Sequence, residues 1–239
     1  MKISDLKIVN GFTLAEVLIT LVVIGVVAAM TIPTLVTKYQ KEQTVNQLRQ
    51  VLSQFNQAAR LSVPEYGDPA TWDYSISEYD FLKKYFKFVQ ADEMTFDRDE
   101  FSYKRSDGKN EGSLLVMRSG APIISLNSGV LVYSNTSAPR SEANQALKQS
   151  CYAVDLNGFK GPNKFGRDMF FICLDGVNAL VVPHQSDDYE SVSVQKTRDV
   201  LKNGPSNCEY QCNKDNGRGM WCAALIMKDG WQIKDDYPW

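Results

Sequence analysis

Five cysteines could form disulfide bonds in this 239-residue chain, and all lie beyond residue 150: Cys151, Cys173, Cys208, Cys212 and Cys222. Cysteines concentrated in one region are typical of a domain exposed to an oxidising compartment. The odd number leaves at least one thiol unpaired within the chain or paired with another chain. We expect a disulfide from Cys222 to Cys208 or Cys212. Zinc held by these three cysteines and His184 is an alternative, but paired C-x-x-C knuckles are missing.

A second group of side chains could bind a cation. Asp155, Asn157 and Asp168 lie in the sequence DLNGFKGPNKFGRD, and calcium prefers carboxylate and amide oxygens of this kind. The stretch is not an EF-hand, because the ligands at the fifth and twelfth positions of that loop would fall on Phe159 and Gly166. Apart from calcium in this stretch, we expect no cofactor.

The same stretch also has a purely structural interpretation. Its glycine, asparagine and proline residues are those that form turns, so the segment could simply connect two strands of a hairpin. With the turn centred near Pro162, Cys151 and Cys173 come opposite each other and could be bridged.

Catalysis has little support in the sequence. His184 is the single histidine, so a serine or cysteine nucleophile would have to use it as base. Neither G-x-S-x-G, a Walker loop nor a Rossmann glycine pattern is present. With 26 basic and 28 acidic residues, the chain also lacks the basic excess that favours nucleic acid. We therefore expect no enzymatic activity and find no strong nucleic-acid signal.

A carboxylate stands at the edge of a long apolar segment near the N-terminus. Residues Val17 to Ile32 contain no charge, and with their apolar flanks they are long enough to cross a bilayer as a helix. Glu16 precedes this run, where an unpaired charge costs about 2.5 kcal/mol or more at mid-membrane depth and usually marks function. The leader MKISDLKIVNG carries two lysines and one aspartate, which predicts a cytoplasmic N-terminus and an outward-facing C-terminal region.

The sequence GFTLAEVLITLVVIGVVAAMTIP resembles the cleavage and methylation motif of type IV pilins and type II secretion pseudopilins. Gly11 matches the glycine after which prepilin peptidase cuts, and Phe12 matches the new first residue, which is N-methylated. Glu16 matches the glutamate that is fifth in the mature chain. Pro33 resembles the helix-kinking proline of these proteins, and Gly25 a frequent helix glycine. The motif is specific because its residues must occur in a fixed order.

The resemblance implies a place and a set of partners for this chain. It would sit in the cytoplasmic (inner) membrane as a single-pass protein with its head outside the cytoplasm. The partners would be membrane lipid, prepilin peptidase, other pilin or pseudopilin subunits, and the assembly platform and motor of a pilus or secretion machine. A buried carboxylate needs a positive partner. We expect Glu16 to neutralise the amino group of Phe12 in its own chain or a neighbouring subunit, setting the register of assembly.

Two other functions fit parts of the sequence. The residues Val27-Ala28-Ala29 before Met30 suit a conventional signal peptidase, which would release an exported soluble protein. Alternatively, a minor pilin at a filament tip could bind a surface, DNA or a secretion substrate through its aromatic C-terminal region. The aromatic residues concerned are Trp221, Trp231, Tyr237 and Trp239.

The elements that carry these residues can be predicted in part. Apolar side chains recur at three- and four-residue steps after Pro33, as expected of an amphipathic helix: Val45, Leu48, Leu52, Phe55 and Ala59. Pro33 should bend or locally open the helix, and Val63-Pro64 should end it. We expect a removable leader at 1–11, a transmembrane and assembly helix at 12–36, an amphipathic helix at 37–62, and a globular head at 63–239.

The head should be an antiparallel sheet lying on the amphipathic helix, which gives an α+β, lollipop-shaped fold. Six apolar runs separated by turn residues predict its strands: SLLVMRS, PIISL, VLVYSN, CYAVDL, DMFFICL and NALVVP. A short helix is expected near Ser77 to Phe88, and a hairpin through Lys228, Asp229 and Gly230.

Overall fold

The computed structural model describes residues 11–68, 71, 81, 84–86, 88–90, 103–111, 123–134, 151–175, 180–185, 195–204 and 209–239. The described helices are α1 (Leu14–Tyr66), α2 (Arg198–Asn203) and α3 (Cys222–Lys228). The described strands are β1 (Phe88–Gln90), β2 (Tyr103–Lys104), β3 (Asn110–Glu111), β4 (Ile123–Leu126), β5 (Leu131–Ser134), β6 (Cys151–Asp155), β7 (Met169–Asp175) and β8 (Leu180–Pro183). The chain up to Lys41 forms one compact unit, and Glu42–Trp239 forms another.

Helix α1 continues through both of its prolines. The expected end at Val63-Pro64 is wrong, because α1 runs to Tyr66. Pro64 lies in the last turn, where the chain still closes a hydrogen bond of 2.9 Å from the N–H of Gly67 to the carbonyl of Val63. Gly67 then takes a positive φ of 76°, the left-handed conformation with which glycine commonly ends helices.

The larger sheet is antiparallel and has the strand order β1-β4-β5-β6-β7-β8. Strands β2 and β3 form a separate two-stranded sheet. Five of the six predicted strands coincide with β4 to β8, and the sixth, SLLVMRS, lies outside the described residues. The predicted α+β class, a long helix on an antiparallel sheet, is confirmed.

The amphipathic part of α1 buries its predicted apolar stripe. All five predicted positions are at most 6% exposed, and Val51 and Ala58 join them. Phe55 is central, with its ring 5.1 Å from Tyr152 of β6 and 4.6 Å from Phe86. These residues share one core with apolar side chains of β4 to β8 and α3. Burial of this stripe fixes which face of the helix meets the sheet.

The C-terminal tail forms a helix where a hairpin was expected. Residues 222–228 make α3, and its first five side chains, Cys222 to Ile226, are all buried. A short apolar run buried on every side looks the same in sequence whether it is strand or helix. The helix predicted near Ser77 to Phe88 lies largely outside the described residues; Phe81, Lys84 and Tyr85 are helical, and Phe88 begins β1.

Candidate functional site

The bond between Gly11 and Phe12 lies just before α1, in chain without regular secondary structure. Phe12 is 89% exposed, and a Cβ added to Gly11 would meet no atom within 4 Å. Exposed segments outside regular structure are the usual places where proteases cut. The local structure therefore leaves the predicted processing bond open to a peptidase.

Glu16 caps the start of α1 together with Thr13. The Thr13 hydroxyl accepts the N–H of Glu16 at 3.3 Å, and Glu16 Oε2 accepts the N–H of Thr13 at 2.8 Å and its hydroxyl at 2.7 Å. This reciprocal pair is a capping box, which satisfies donors that a helix start leaves open. Glu16 thus has a local structural role in addition to the one expected in assembly.

Large apolar side chains cover the part of α1 that precedes Lys41, and most of them are exposed: Leu14, Val17, Leu18, Ile19, Leu21, Val22, Val23, Ile24, Val26, Val27, Met30, Ile32, Leu35 and Val36. The helix is long and apolar enough to cross a membrane. A surface of this kind needs lipid or other apolar helices around it.

Three threonine hydroxyls inside this segment are satisfied within the helix. Thr20, Thr31 and Thr37 each donate a hydroxyl hydrogen bond of 2.9 Å to a carbonyl three or four residues earlier. In hydrocarbon, such internal bonding avoids the cost of an unpaired hydroxyl. Gly25 and Pro33 both lie inside the helical span, and a Cβ at Gly25 would meet nothing within 4 Å.

In the head, Asp168 closes the loop that joins β6 to β7. Its Oδ1 accepts the N–H of Lys164 at 2.6 Å, and its Oδ2 accepts the N–H of Asn163 at 2.8 Å and the side-chain amide of Asn157 at 3.2 Å. Burial raises the pKa of this carboxyl, although these hydrogen bonds oppose the rise. Both oxygens of Asp168 are therefore occupied in holding the loop together.

Asp155 faces the same loop from the end of β6 and is fully buried. Its Oδ1 accepts the N–H of Asn157 at 3.1 Å, whereas its Oδ2 is buried without a hydrogen-bond partner. Asn157 Oδ1 and Asn163 Oδ1 are buried and unpaired in the same way. Burial, and next the charge of Asp168, raise the pKa of Asp155 to about 8. Asn163 was not among the predicted cation ligands, although it stands in the Pro-Asn pair of the same stretch.

Two other parts of the head form hydrogen bonds with this loop. The Tyr237 hydroxyl donates to the carbonyl of Gly166 at 2.5 Å. The N–H of Lys104 donates to the carbonyl of Asn163, and the N–H of Phe165 donates to the carbonyl of Lys104, both at 2.8 Å. The loop is thus built into the fold and is not a free surface turn.

Two disulfides are present in the described part of the chain, Cys151–Cys173 and Cys212–Cys222. The first joins residues directly opposite each other in the register of β6 and β7, with their Cα atoms 4.0 Å apart. The second resolves the alternatives for Cys222 in favour of Cys212. Cys208 lies outside the described residues.

His184 packs against the first disulfide. Its Nδ1 is 3.3 Å from Cys173 Sγ, and the residue is 1% exposed. Zinc bound by His184 and three C-terminal cysteines is wrong for this fold, because Cys212 and Cys222 bond to each other. A cysteine ligates a metal through its thiolate, and the sulfur atoms of a disulfide are no longer thiolates.

The C-terminal aromatic side chains pack largely into the head. Trp221 and Tyr237 are buried, and Trp231 and Trp239 are half-buried. Arginine guanidinium groups cover the half-buried pair, with Arg49 5.5 Å from the ring centre of Trp231 and Arg167 5.3 Å from that of Trp239. Stacked cations of this kind stabilise aromatic rings that water still reaches.

Comparison with known families gives two matches that together cover nearly the whole chain. Residues 6–32 match a model described as the prokaryotic N-terminal methylation motif. Residues 34–239 match a model described as a family of unknown function (DUF6613). No curated protein and no solved structure matches the chain. The first match and the long apolar helix identify a type IV pilin-like protein.

Proposed function

Since the chain belongs to the family of unknown function DUF6613 and carries a prepilin-type methylation motif, we propose that it is a structural subunit of a type IV pilus or type II secretion pseudopilus. The observation that carries this proposal is the motif at residues 6–32, which from Leu14 onward forms a helix with an exposed apolar surface. Subunits that polymerise through such helices exchange lipid contacts for helix contacts.

In the proposed pathway, prepilin peptidase cuts after Gly11 on the cytoplasmic face and the amino group of Phe12 is methylated. The exposure of both residues supports this step. The helix then leaves the bilayer and packs among the helices of other subunits, driven by a separate assembly platform and motor. The head remains outside the cytoplasm, where its two disulfides would be stable.

Glu16 is proposed to bind the new amino group of Phe12 in its own chain or a neighbour. A carboxylate among packed apolar helices is costly unless it meets a positive charge. The capping box places the Glu16 carboxylate beside Thr13, the residue that follows Phe12. Charge pairing in this position would set the axial register between subunits.

The proposal assigns no catalytic activity to the chain. The burial of its single histidine supports this, because the His184 ring cannot reach a substrate in solution.

A binding subunit at the filament tip is a narrower version of the same proposal. The amount of this protein in the cell distinguishes a main subunit from a tip subunit. A main subunit would be made in large excess over a tip protein.

Mass spectrometry of the mature N-terminus, on peptides from the cell envelope, tests the proposal. We expect a chain that begins at Phe12 and carries one added methyl group. A chain that begins at Met30 would have lost both the anchor and Glu16, and would overturn the filament function in favour of an exported soluble protein.

A further inference from the structure

The loop between β6 and β7 contains three buried oxygen atoms that accept no hydrogen bond within the described structure. They are Asp155 Oδ2, Asn157 Oδ1 and Asn163 Oδ1. Buried polar atoms are nearly always paired, so each exception calls for a physical explanation such as an ion or a proton. Three exceptions in one short loop call for a common explanation.

These residues are joined to one another through Asp168. Asp168 Oδ2 accepts both the Asn157 side-chain amide and the Asn163 N–H, and the Asn157 N–H donates to Asp155 Oδ1. The Asn157 amide also points its Nδ2 at the carbonyl of Gly161, 3.4 Å away. Because Nδ2 of Asn157 donates to two acceptors, the orientation of the Asn157 amide group is fixed. Its Oδ1 is the atom that remains without a hydrogen bond.

From this arrangement we propose that Asp155, Asn157 and Asn163 form a binding site for a hard cation, calcium, with Asp168 as the residue that positions both asparagines. All three open atoms are acceptors, and a cation can take lone pairs from all of them at once. A proton on Asp155 Oδ2 would make that atom a donor to one amide oxygen at most, and the other amide oxygen would remain unpaired. A water molecule has two hydrogens and could satisfy two of the three oxygens at most.

The chemistry of the ligands favours calcium over other metals. Oxygen-only ligand sets suit hard cations, while thiolates and imidazoles select zinc or copper. Calcium accepts irregular shells of 6–8 oxygens, including water and main-chain carbonyls, whereas magnesium requires near-ideal octahedral geometry. The anchors at Gly166 and Lys104 hold the loop in place before a cation arrives.

Affinity should be modest, because one carboxylate and two neutral amides supply little negative charge. We expect a Kd of roughly 0.1–1 mM, the range of extracellular calcium modules. The proposed ligand set differs from the one predicted from the sequence, which included Asp168 and not Asn163. Both oxygens of Asp168 already accept N–H groups.

The test is calcium binding by the full chain, purified in detergent and stripped with chelator. Equilibrium dialysis gives stoichiometry and Kd, and thermal unfolding with and without 10 mM calcium gives the shift in Tm. Asp155→Asn removes the charge at constant size, and Asn163→Ala removes one amide ligand. Asp235→Asn, at an exposed aspartate of the tail, is the matched control.

We expect one calcium per wild-type chain and a Tm rise of roughly 3–10 °C. Affinity should fall at least about tenfold in Asp155→Asn, fall severalfold in Asn163→Ala and stay unchanged in Asp235→Asn. Magnesium at the same concentration should shift Tm much less. Absence of bound calcium at 10 mM, or equal affinity in a folded Asp155→Asn chain, would overturn the proposal. If Asp155→Asn does not fold, unchanged affinity in Asn163→Ala overturns it.

Discussion

The side-chain amide of Asn56 pairs with both main-chain groups of Val181. Asn56 Oδ1 accepts the N–H of Val181 at 2.8 Å, and Asn56 Nδ2 donates to the Val181 carbonyl at 3.0 Å. Val181 belongs to β8, at one end of the described strand order. A side chain of α1 thereby occupies hydrogen-bonding groups that a further strand would otherwise use. Exposed strand edges promote aggregation, and this contact blocks one position of the edge.

Replacing Asn56 by alanine should therefore destabilise the head. The N–H and carbonyl of Val181 would lose their partners, which should lower the free energy of unfolding by about 1–3 kcal/mol. Chemical denaturation in detergent measures the change. Gln57→Ala, at the next and exposed position of the same helix, should alter stability by less than about 0.5 kcal/mol. Equal effects of the two substitutions would show that the Val181 contact contributes nothing.

Two substitutions at Glu16 separate its two roles. Glutamine can still accept the Thr13 N–H, since capping boxes use glutamate or glutamine, but it carries no charge. We expect Glu16→Gln and Glu16→Ala both to reduce filament assembly by an order of magnitude or more, because a charge pair is lost at each subunit contact. Filament yield by shearing and immunoblotting is the readout. Assembly preserved in Glu16→Gln and lost in Glu16→Ala would assign the function to the cap.

Gly166 should tolerate no side chain. Its φ is +84°, and an added Cβ would lie 2.6 Å from Cys222 Sγ and 3.1 Å from the Tyr237 hydroxyl. We expect Gly166→Ala to lower the free energy of unfolding by about 2–4 kcal/mol. Gly108 has nearly the same φ, +83°, with nothing within 4 Å of a Cβ, so Gly108→Ala should cost only about 1 kcal/mol. Comparable losses in the two variants would mean that the contact with Cys222 is irrelevant.

The ion pairs of Asp229 should make stability depend on acid pH. Burial alone would raise the pKa of this carboxyl, but hydrogen bonds from Arg198 at 2.6 Å and Lys234 at 2.8 Å leave it below its usual range. A depressed folded-state pKa contributes stability above the unfolded pKa near 3.8, which is lost as the pH falls through the folded value.

We accordingly expect Asp229→Asn to cost about 2 kcal/mol at pH 7, and the difference from wild type to shrink below about pH 4. Denaturation curves across pH 2–8 measure this trend. Asp235→Asn should remain within about 0.5 kcal/mol of wild type throughout. A cost that stays constant down to pH 2 would contradict an ionic origin.

Removing the two disulfides should cost different amounts. In the chain-entropy description, stabilisation grows with the length of the closed loop. The separations of 22 and 10 residues correspond to about 3.4 kcal/mol for Cys151–Cys173 and about 2.7 kcal/mol for Cys212–Cys222. Urea denaturation of the paired alanine variants tests this order. Cys208→Ala leaves both bonds intact and serves as the reference, and a reversed order would reject loop entropy as the main term.

Much of the architecture follows from local patterns in the sequence. The five predicted apolar positions between Val45 and Ala59 recur at helical spacing, and all five are buried. Apolar runs separated by turn residues also correctly predicted strands β4 to β8. The failures occurred where periodicity carries no information: five consecutive side chains of α3 are buried, and β2 and β3 have two residues each. The helix also passed Pro64, because the proline removes its own N–H donor but leaves the bond from the N–H of Gly67 to the carbonyl of Val63 intact.

The sequence by itself determined the N-terminal segment, since the methylation motif is recognised from the order and spacing of a glycine, a carboxylate and an uncharged run alone. Tertiary structure decided the partner of Cys222, the pairing of Asn56 with Val181 and the use of Asp168 as a loop acceptor. It also left Asp155 Oδ2, Asn157 Oδ1 and Asn163 Oδ1 without donors, while both oxygens of Asp168 accept N–H groups. These choices depend on which groups are buried and which donors reach them, and that is settled only when distant parts of the chain pack together.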